Sequence, residues 1–264
     1  MTIKVCIAGA TGWVGKPLAL AVAQSADMAL VGAVARSARG KNLKDLTAGA
    51  GPDVVVSGSV MDALQAPADV LVDYTAADAV KGHVLAALGK GVRVVIGSSG
   101  LTEKDYLEIQ QAALDAHLGV LAAGNFSITA VLLERFASEA AQYLAHWEII
   151  DYAAGCKPDA PSGTARELAS RLAEVRRPEV AYPVEKTIGE IESRGTDLGG
   201  SRVHSVRLPS YMISLEAIFA GDDERLTIRH DSGSSPAPYI EGTLLAIRKV
   251  MGLTGLVRGL DRIL

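Results

Sequence analysis

The chain has little of what a disulfide or metal scaffold needs: two cysteines in 264 residues, Cys6 inside an apolar run and Cys156 in an expected loop. A pair so placed provides neither a disulfide framework nor the ligand spacing of a zinc site. The five histidines, His83, His117, His146, His204 and His230, are far apart and form no recognised ligand pair, so no metal is expected. No apolar stretch reaches about 18 residues, so no membrane partner is expected. Residues 1–9 carry one lysine and an apolar run leading into glycines. That reads as a buried strand rather than an export signal, and the cytoplasm is the expected location. A basic stripe is also missing. Lys and Arg are scattered and the formal net charge is only −4, which leaves no electrostatic footprint for nucleic acid and favours a small-molecule substrate. There is no low-complexity tract and no internal repeat, and 49 % of residues are hydrophobic against 21 % charged, so the whole chain should fold.

What is present is an alternation. Short β-branched runs at 3–8, 29–34, 53–56, 70–74, 92–96 and 119–122 are interleaved with helical stretches at 16–24, 80–88 and 103–116. Strands alternating with helices predict a parallel, doubly wound sheet of the Rossmann type. A long amphipathic helix at 127–144, with Ser127 as a plausible cap, leads into a different texture: a strand at 147–153, a helix at 162–175, and a Gly, Pro and charge-rich stretch to 200. Three strand candidates follow at 202–209, 212–220 and 225–231, close enough to be antiparallel neighbours in an open sheet. A last helix at 236–251 precedes a tail that can pack back on the first domain. The expected fold class is α/β, a Rossmann domain over 1–126 joined to an α+β domain over 127–236 with an open mixed sheet, and 237–264 returning to the first domain.

Gly9, Ala10, Thr11, Gly12, Trp13, Val14 and Gly15 follow the first strand and open a helix. The glycines permit a tight turn and let backbone N–H groups and the helix start approach a pyrophosphate, so Gly9, Thr11, Gly12, Trp13, Val14 and Gly15 are candidate cofactor contacts. At the end of the second strand, where an NAD-preferring site places a carboxylate for the ribose 2′-hydroxyl, the chain has Arg36, Ser37 and Arg39. These donate to a 2′-phosphate, so NADPH is expected over NADH. Two further strand ends, Asp73-Tyr74-Thr75 and Gly97-Ser98-Ser99-Gly100, should border the nicotinamide half of the cofactor. Asp73 reads equally as a cap of the following segment.

The stretch Lys157-Pro158-Asp159-Ala160-Pro161-Ser162-Gly163-Thr164-Ala165 combines a cation, a rigid turn and a helix start. Ser162, the N–H groups of Gly163 and Thr164 and the Thr164 hydroxyl make an anion pocket suited to a carboxylate, with Lys157 beside it as counter-ion or proton donor.

With these motifs in this order, together with Asn125-Phe126-Ser127, Glu224-Arg225-Leu226 and His230, the sequence resembles the dihydrodipicolinate reductase family, whose members reduce a cyclic dicarboxylate of lysine biosynthesis with NAD(P)H. The resemblance covers nearly the whole chain. It implies a Rossmann domain, a C-terminal mixed sheet used for assembly into a homotetramer, and hydride transfer to a cyclic imine. It also implies that Gly97, Ser99 and Phe126 surround the nicotinamide, with Tyr74, Thr75 and Asn125 among the cofactor contacts, and that Lys157, Ser162, Gly163 and Thr164 hold the substrate.

The sequence also departs from that family. Two adjacent histidines usually precede the lysine, one linked to catalysis and one to a substrate carboxylate; here Ala153 and Ala154 stand there, followed by Gly155 and Cys156. A glycine-rich loop, an acidic residue and His usually follow an Arg, whereas this chain runs from Arg207 through Leu208, Pro209, Ser210, Tyr211 and Met212 to Glu216. Such a pocket fits dihydrodipicolinate itself or a related imine with one carboxylate and a larger apolar part. Catalysis then rests on Lys157, with Tyr152, Cys156, Tyr211 or water as other proton sources. A non-catalytic NADPH-binding paralogue is the alternative reading. A second rival, the short-chain dehydrogenase class, rests on Tyr182 and Lys186; that pair works only on one helix face, and Pro178 and Pro183 argue for a loop there.

Overall fold

A computed structural model describes residues 2–210 and 213–264. In chain order the elements are β1 (Ile3–Ala8), α1 (Gly15–Gln24), β2 (Met28–Val34), α2 (Leu43–Leu46), β3 (Val56–Ser57), α3 (Val60–Ala63), β4 (Val70–Asp73), α4 (Ala77–Leu88), β5 (Arg93–Ile96), α5 (Glu103–Asp115), β6 (Gly119–Ala122), α6 (Ile128–Tyr143), β7 (His146–Ala153), α7 (Gly163–Val175), β8 (Thr196–Leu198), β9 (Ser201–Arg207), β10 (Ile213–Ala220), β11 (Arg225–Ser232), α8 (Ala237–Val250) and β12 (Gly255–Arg258). They form two compact units, one of residues 1–128 and 236–264, the other of 129–235. Among the described residues no helix is long and apolar enough to cross a membrane.

The first unit is a seven-stranded sheet in the order β12-β6-β5-β4-β1-β2-β3, parallel throughout. Its central strands β1 and β4 are nearly continuous runs of buried Val, Ile, Leu and Ala, the pattern of strands covered on both faces. The chain winds outward from β1 in one direction through β2 and β3 and in the other through β4, β5 and β6. That reversal between β1 and β4 opens the crevice where doubly wound sheets bind ligands. The fold class is thus the one the alternation predicts. The third strand is shorter and later than expected, because 53–55 form only a bridge, Val55 to Asn42.

The second unit is a five-stranded mixed sheet in the order β11-β10-β7-β9-β8. One expectation is corrected here. Segments 202–209 and 212–220 are not neighbours, because β7 lies between β9 and β10, parallel to the first and antiparallel to the second. The reason is burial: this arrangement puts Trp147, Ile149, Val203, Ala217 and Phe219 on one face, where they pack with Leu168, Leu172, Leu133 and Ala137 of α7 and α6. Only β10 and β11 form the expected antiparallel pair. Met212, expected at the start of that strand, lies outside the described residues, as does Tyr211.

Candidate functional site

A cavity of about 570 Å³ opens at the carboxyl ends of β1, β2 and β4. Gly9, Thr11 and Gly12 form one wall, and Arg36, Ser37, Gly58 and Ser59 another. Gly9 has φ +83°, and a Cβ there would lie 2.3 Å from the Tyr74 carbonyl oxygen. At Gly15 a Cβ would lie 2.0 Å from the Gly9 carbonyl oxygen, so the first turn of α1 sits directly on the loop. A glycine loop running into a helix start is the local chemistry suited to a phosphate. Trp13, Val14 and Gly15 support this loop without lining the cavity: Trp13 is 59 % exposed, with its ring 5.9 Å from that of Tyr239. Arg39 is likewise outside the wall, its side chain folded across Gly58.

Tyr74, Thr75, Ala76, Ala79 and His83 close the third side. The Tyr74 hydroxyl donates at 2.7 Å to Thr243 Oγ1, whose own hydrogen goes to the Tyr239 carbonyl. Burial pushes the Tyr74 phenol well above its usual range. The ring of Tyr74 meets Phe126 edge-on at 5.9 Å and leaves no room for a side chain at Gly97, where a Cβ would lie 2.2 Å from Tyr74 Cε1. A second hollow, about 160 Å³, is lined by Gly97, Ser98, Ser99, Gly100, Tyr106 and Ala122 among others. Phe126 and Asn125 are not in either wall; Phe126 is buried against Tyr74, and Asn125 Oδ1 accepts from the Ser127 N–H at 2.8 Å.

Beneath these loops lies Asp73, fully buried. Its Oδ1 accepts from Ser98 Oγ (2.6 Å), Thr75 Oγ1 (2.7 Å) and the Thr75 N–H (3.0 Å), and its Oδ2 from His83 Nδ1 (2.8 Å). Burial pushes the carboxyl up, but the donors from His83, Ser98 and Thr75 outweigh it and hold the group below the usual carboxylate range. Ionised, Asp73 ties the end of β4 to the loop after β5 and to α4.

In the second unit the anion motif is built on a comparable buried carboxylate. Asp151, inward-facing on β7, accepts through Oδ2 from the Ser162 N–H (2.8 Å), Ser205 Oγ (3.1 Å) and Arg207 Nη2 (2.7 Å). Arg207 Nη2 also donates to the Asp159 carbonyl at 2.7 Å, so one guanidinium holds both ends of the turn. Ser162 is buried and caps α7, its Oγ accepting from the Ala165 N–H. Its own N–H is committed to Asp151, which leaves the first-turn N–H groups of Gly163 and Thr164 as the helix donors. Lys157 is paired with Asp159, and that pairing holds the Asp159 carboxyl below its usual range.

Two family patterns cover the chain: Dihydrodipicolinate reductase, N-terminus, matches residues 3–126, and Dihydrodipicolinate reductase, C-terminus, residues 129–264. The chain belongs to the dihydrodipicolinate reductase family. It is 39 % identical to the 4-hydroxy-tetrahydrodipicolinate reductase of Desulfitobacterium hafniense over 99 % of this chain and 98 % of that protein. The enzyme of the same name from Moorella thermoacetica is 38 % identical over 100 % and 98 % of the two chains. Among solved structures, the dipicolinate-bound dihydrodipicolinate reductase from Paenisporosarcina sp. TG-14 matches with a TM-score of 0.89 and 34 % identity, covering all of both chains. As a member of this family the protein is a pyridine-nucleotide-dependent oxidoreductase.

Against the dihydrodipicolinate reductase pattern, Ala153 is fully buried in the β7 ladder and Ala154 is only partly exposed. Methyl groups there neither move a proton nor hold an anion. Among the other proton sources, Tyr152 points to the opposite sheet face, where its hydroxyl donates to Glu216 Oε2 at 3.1 Å and Arg229 stacks 4.9 Å from its ring. Cys156 is exposed. Tyr182 donates to the Lys186 backbone carbonyl, and only a three-residue 3-10 turn, Val184–Lys186, lies between, so the two side chains do not share a helix face. Sequence reasoning missed the bracing residues His83, Ser98, Thr243 and Asp151. Two signals were available: 76, 79 and 83 share one helical face, and Asp151 falls in phase with the inward positions Trp147 and Ile149.

Proposed function

We propose that the protein is an NADPH-dependent reductase that delivers hydride to the C=N bond, or a conjugated C=C bond, of a cyclic imine carboxylate, either dihydrodipicolinate or a close analogue. Cofactor binding is assigned to the first unit and substrate binding to the second. The observation that carries this reading is the anion loop from Lys157 to Thr164, complete and braced from below by Asp151 and Arg207. Helix-start N–H groups of Gly163 and Thr164, with the Thr164 hydroxyl, hold one carboxylate. Lys157 exchanges Asp159 for the substrate, neutralises its charge and supplies the proton that the reduced imine nitrogen takes up. The bound dinucleotide supplies the hydride. Arg36 and Ser37 in the wall at the end of β2, with no carboxylate beside them, favour the 2′-phosphate of NADPH.

A second carboxylate would meet Ala153 and Ala154. Leaving it unpaired costs about 1 to 3 kcal/mol, roughly tenfold or more in specificity, which favours a substrate with one carboxylate and more apolar surface. The test is NADPH consumption with dihydrodipicolinate beside a panel of monocarboxylate cyclic imines, NADH in parallel and Lys157→Ala as control. Turnover that falls about 10²-fold or more in Lys157→Ala is expected, with NADPH preferred about tenfold or better. Turnover of dihydrodipicolinate establishes the dicarboxylate substrate, and activity confined to the panel establishes the remodelled pocket. Binding of NADPH with no turnover of any imine sinks the catalytic reading and leaves a non-catalytic paralogue. We further propose that the protein works in the cytoplasm as a homotetramer built through the open face of the mixed sheet.

A further inference from the structure

His83 is the side chain of the large cavity that neither the glycine loop nor the β2 end accounts for. It sits on the first turns of α4, in the same wall as Ala76 and Ala79, opposite Arg36, Ser37 and Ser59. Three quarters of its side chain is covered, and Nδ1 is 2.8 Å from Asp73 Oδ2. Asp73 is fully buried, and each of its other donors, Thr75 and Ser98, comes to Oδ1. A carboxylate only accepts, so the ring hydrogen of the neutral imidazole is on Nδ1. In that neutral form Nε2 carries a lone pair, and the ring, which lines the cavity, offers it as an acceptor. The other sides of the cavity are rich in donors: the Gly12 loop, the Arg36 guanidinium and the Ser37 and Ser59 hydroxyls. An acceptor among donors addresses a hydroxyl or amino group, not a phosphate oxygen.

We propose that His83 is a cofactor-binding residue, its Nε2 accepting a hydrogen bond from the adenosine half of the dinucleotide, from the ribose 3′-hydroxyl or the adenine amino group. The assignment rests on the reading of the 570 Å³ cavity as the dinucleotide site. The adenosine half follows from position. His83 shares its cavity with the end of β2, where the ribose of a Rossmann-bound dinucleotide lies, while the Gly97 to Gly100 loop lines the separate, smaller hollow. Asp73 in turn acts as a positioning residue: it fixes the His83 tautomer and, through Thr75 and Ser98, the two flanking loops.

The test uses the full-length protein and two ligands, NADPH and adenosine 2′,5′-bisphosphate, which lacks the diphosphate bridge and the nicotinamide. His83→Asn keeps an N–H donor near Asp73 and withdraws the ring edge from the cavity. Its dissociation constants for both ligands should rise by the same factor, about three- to tenfold, with the melting temperature of the ligand-free protein unchanged. On wild-type protein, which keeps the test decisive if the variant is unstable, the 3′-deoxy or the inosine analogue of the bisphosphate should lose a similar factor and identify the donor. Unchanged affinity of His83→Asn, or weakening seen with NADPH but not with the bisphosphate, overturns the assignment, as does full affinity of both analogues for the wild-type protein. Failure of wild-type protein to bind NADPH at all sinks the dinucleotide reading itself, a distinguishable result.

Discussion

At the scale of single residues, the first unit depends on backbone approaches that no side chain can enter. Gly97 is the sharpest case, because the Tyr74 ring occupies the space of its missing Cβ and cannot yield freely. That ring is pinned by the Thr243 hydrogen bond at one end and by Phe126 at its edge. Gly97→Ala therefore forces the Tyr74 ring out of place and with it the Tyr74–Thr75 wall of the larger cavity. The expected outcome is a loss of about 1 to 3 kcal/mol in stability by urea titration, with weaker NADPH binding. Stability equal to wild type would mean that Tyr74 repacks without cost.

At the scale of elements, the start of α7 is held by a strand as well as by its own Ser162 cap. Asp151 on β7 and Arg207 at the end of β9 lie on adjacent parallel strands, two positions apart in register, and together they grip Ser162 and the Asp159 carbonyl. Burial pushes the Asp151 carboxyl up, but the Arg207 guanidinium and the Ser162 contacts outweigh it and hold the group below its ordinary value near 3.8. A depressed carboxylate contributes stability that is fully present above its unfolded value and is lost as pH falls through the folded one. Arg207→Met removes the guanidinium and leaves Asp151 buried without its counter-charge, a loss of about 3 kcal/mol. The gap to wild type should be full near pH 7 and narrow as pH falls through the folded value, because Asp151 is then protonated in both proteins and its pairing no longer counts. Urea midpoints measured from pH 3 to pH 7 check this; parallel curves for variant and wild type would refute the role given to the pair.

At the scale of the whole molecule, the described helices pack on one face of the mixed sheet. α6 and α7 pack against the inward side chains, while Glu148, Ile150, Tyr152, Arg202, His204 and Ile218 alternate onto the other face, partly exposed. Charged groups on this face are partly matched, His204 to Glu148 at 2.8 Å and Arg229 to Glu216 at 3.2 Å, and Ile150 and Ile218 are interspersed among them. If it forms the proposed tetramer contact, light scattering gives four times the chain mass, and Ile150→Glu lowers it toward that of one chain while the fold is retained. A monomer in the wild type would refute the assembly.

Sequence periodicity by itself determined the Rossmann class, because parallel strands buried on both faces must be continuous apolar runs and cannot be mistaken for alternating ones. The ordered motifs were enough to place the chain in its family. Periodicity did not determine which strand lies beside which in the second unit: the spacing of 202–209 and 212–220 suggests neighbours, and only the common burial of Trp147, Ile149, Val203 and Phe219 under two helices put β7 between them. The same holds for the site. Gly9, Thr11, Gly12, Arg36, Ser37, Tyr74 and Thr75 are legible as motifs and line one cavity, since glycine and strand-end chemistry is local. Trp13, Arg39 and Phe126 stand in the same motifs and pack against Tyr239, Gly58 and Tyr74. Asp73 with His83, and Asp151 with Arg207, were decided by tertiary structure alone, because a buried carboxylate must find its donors wherever the fold brings them, 10 and 56 positions along the chain.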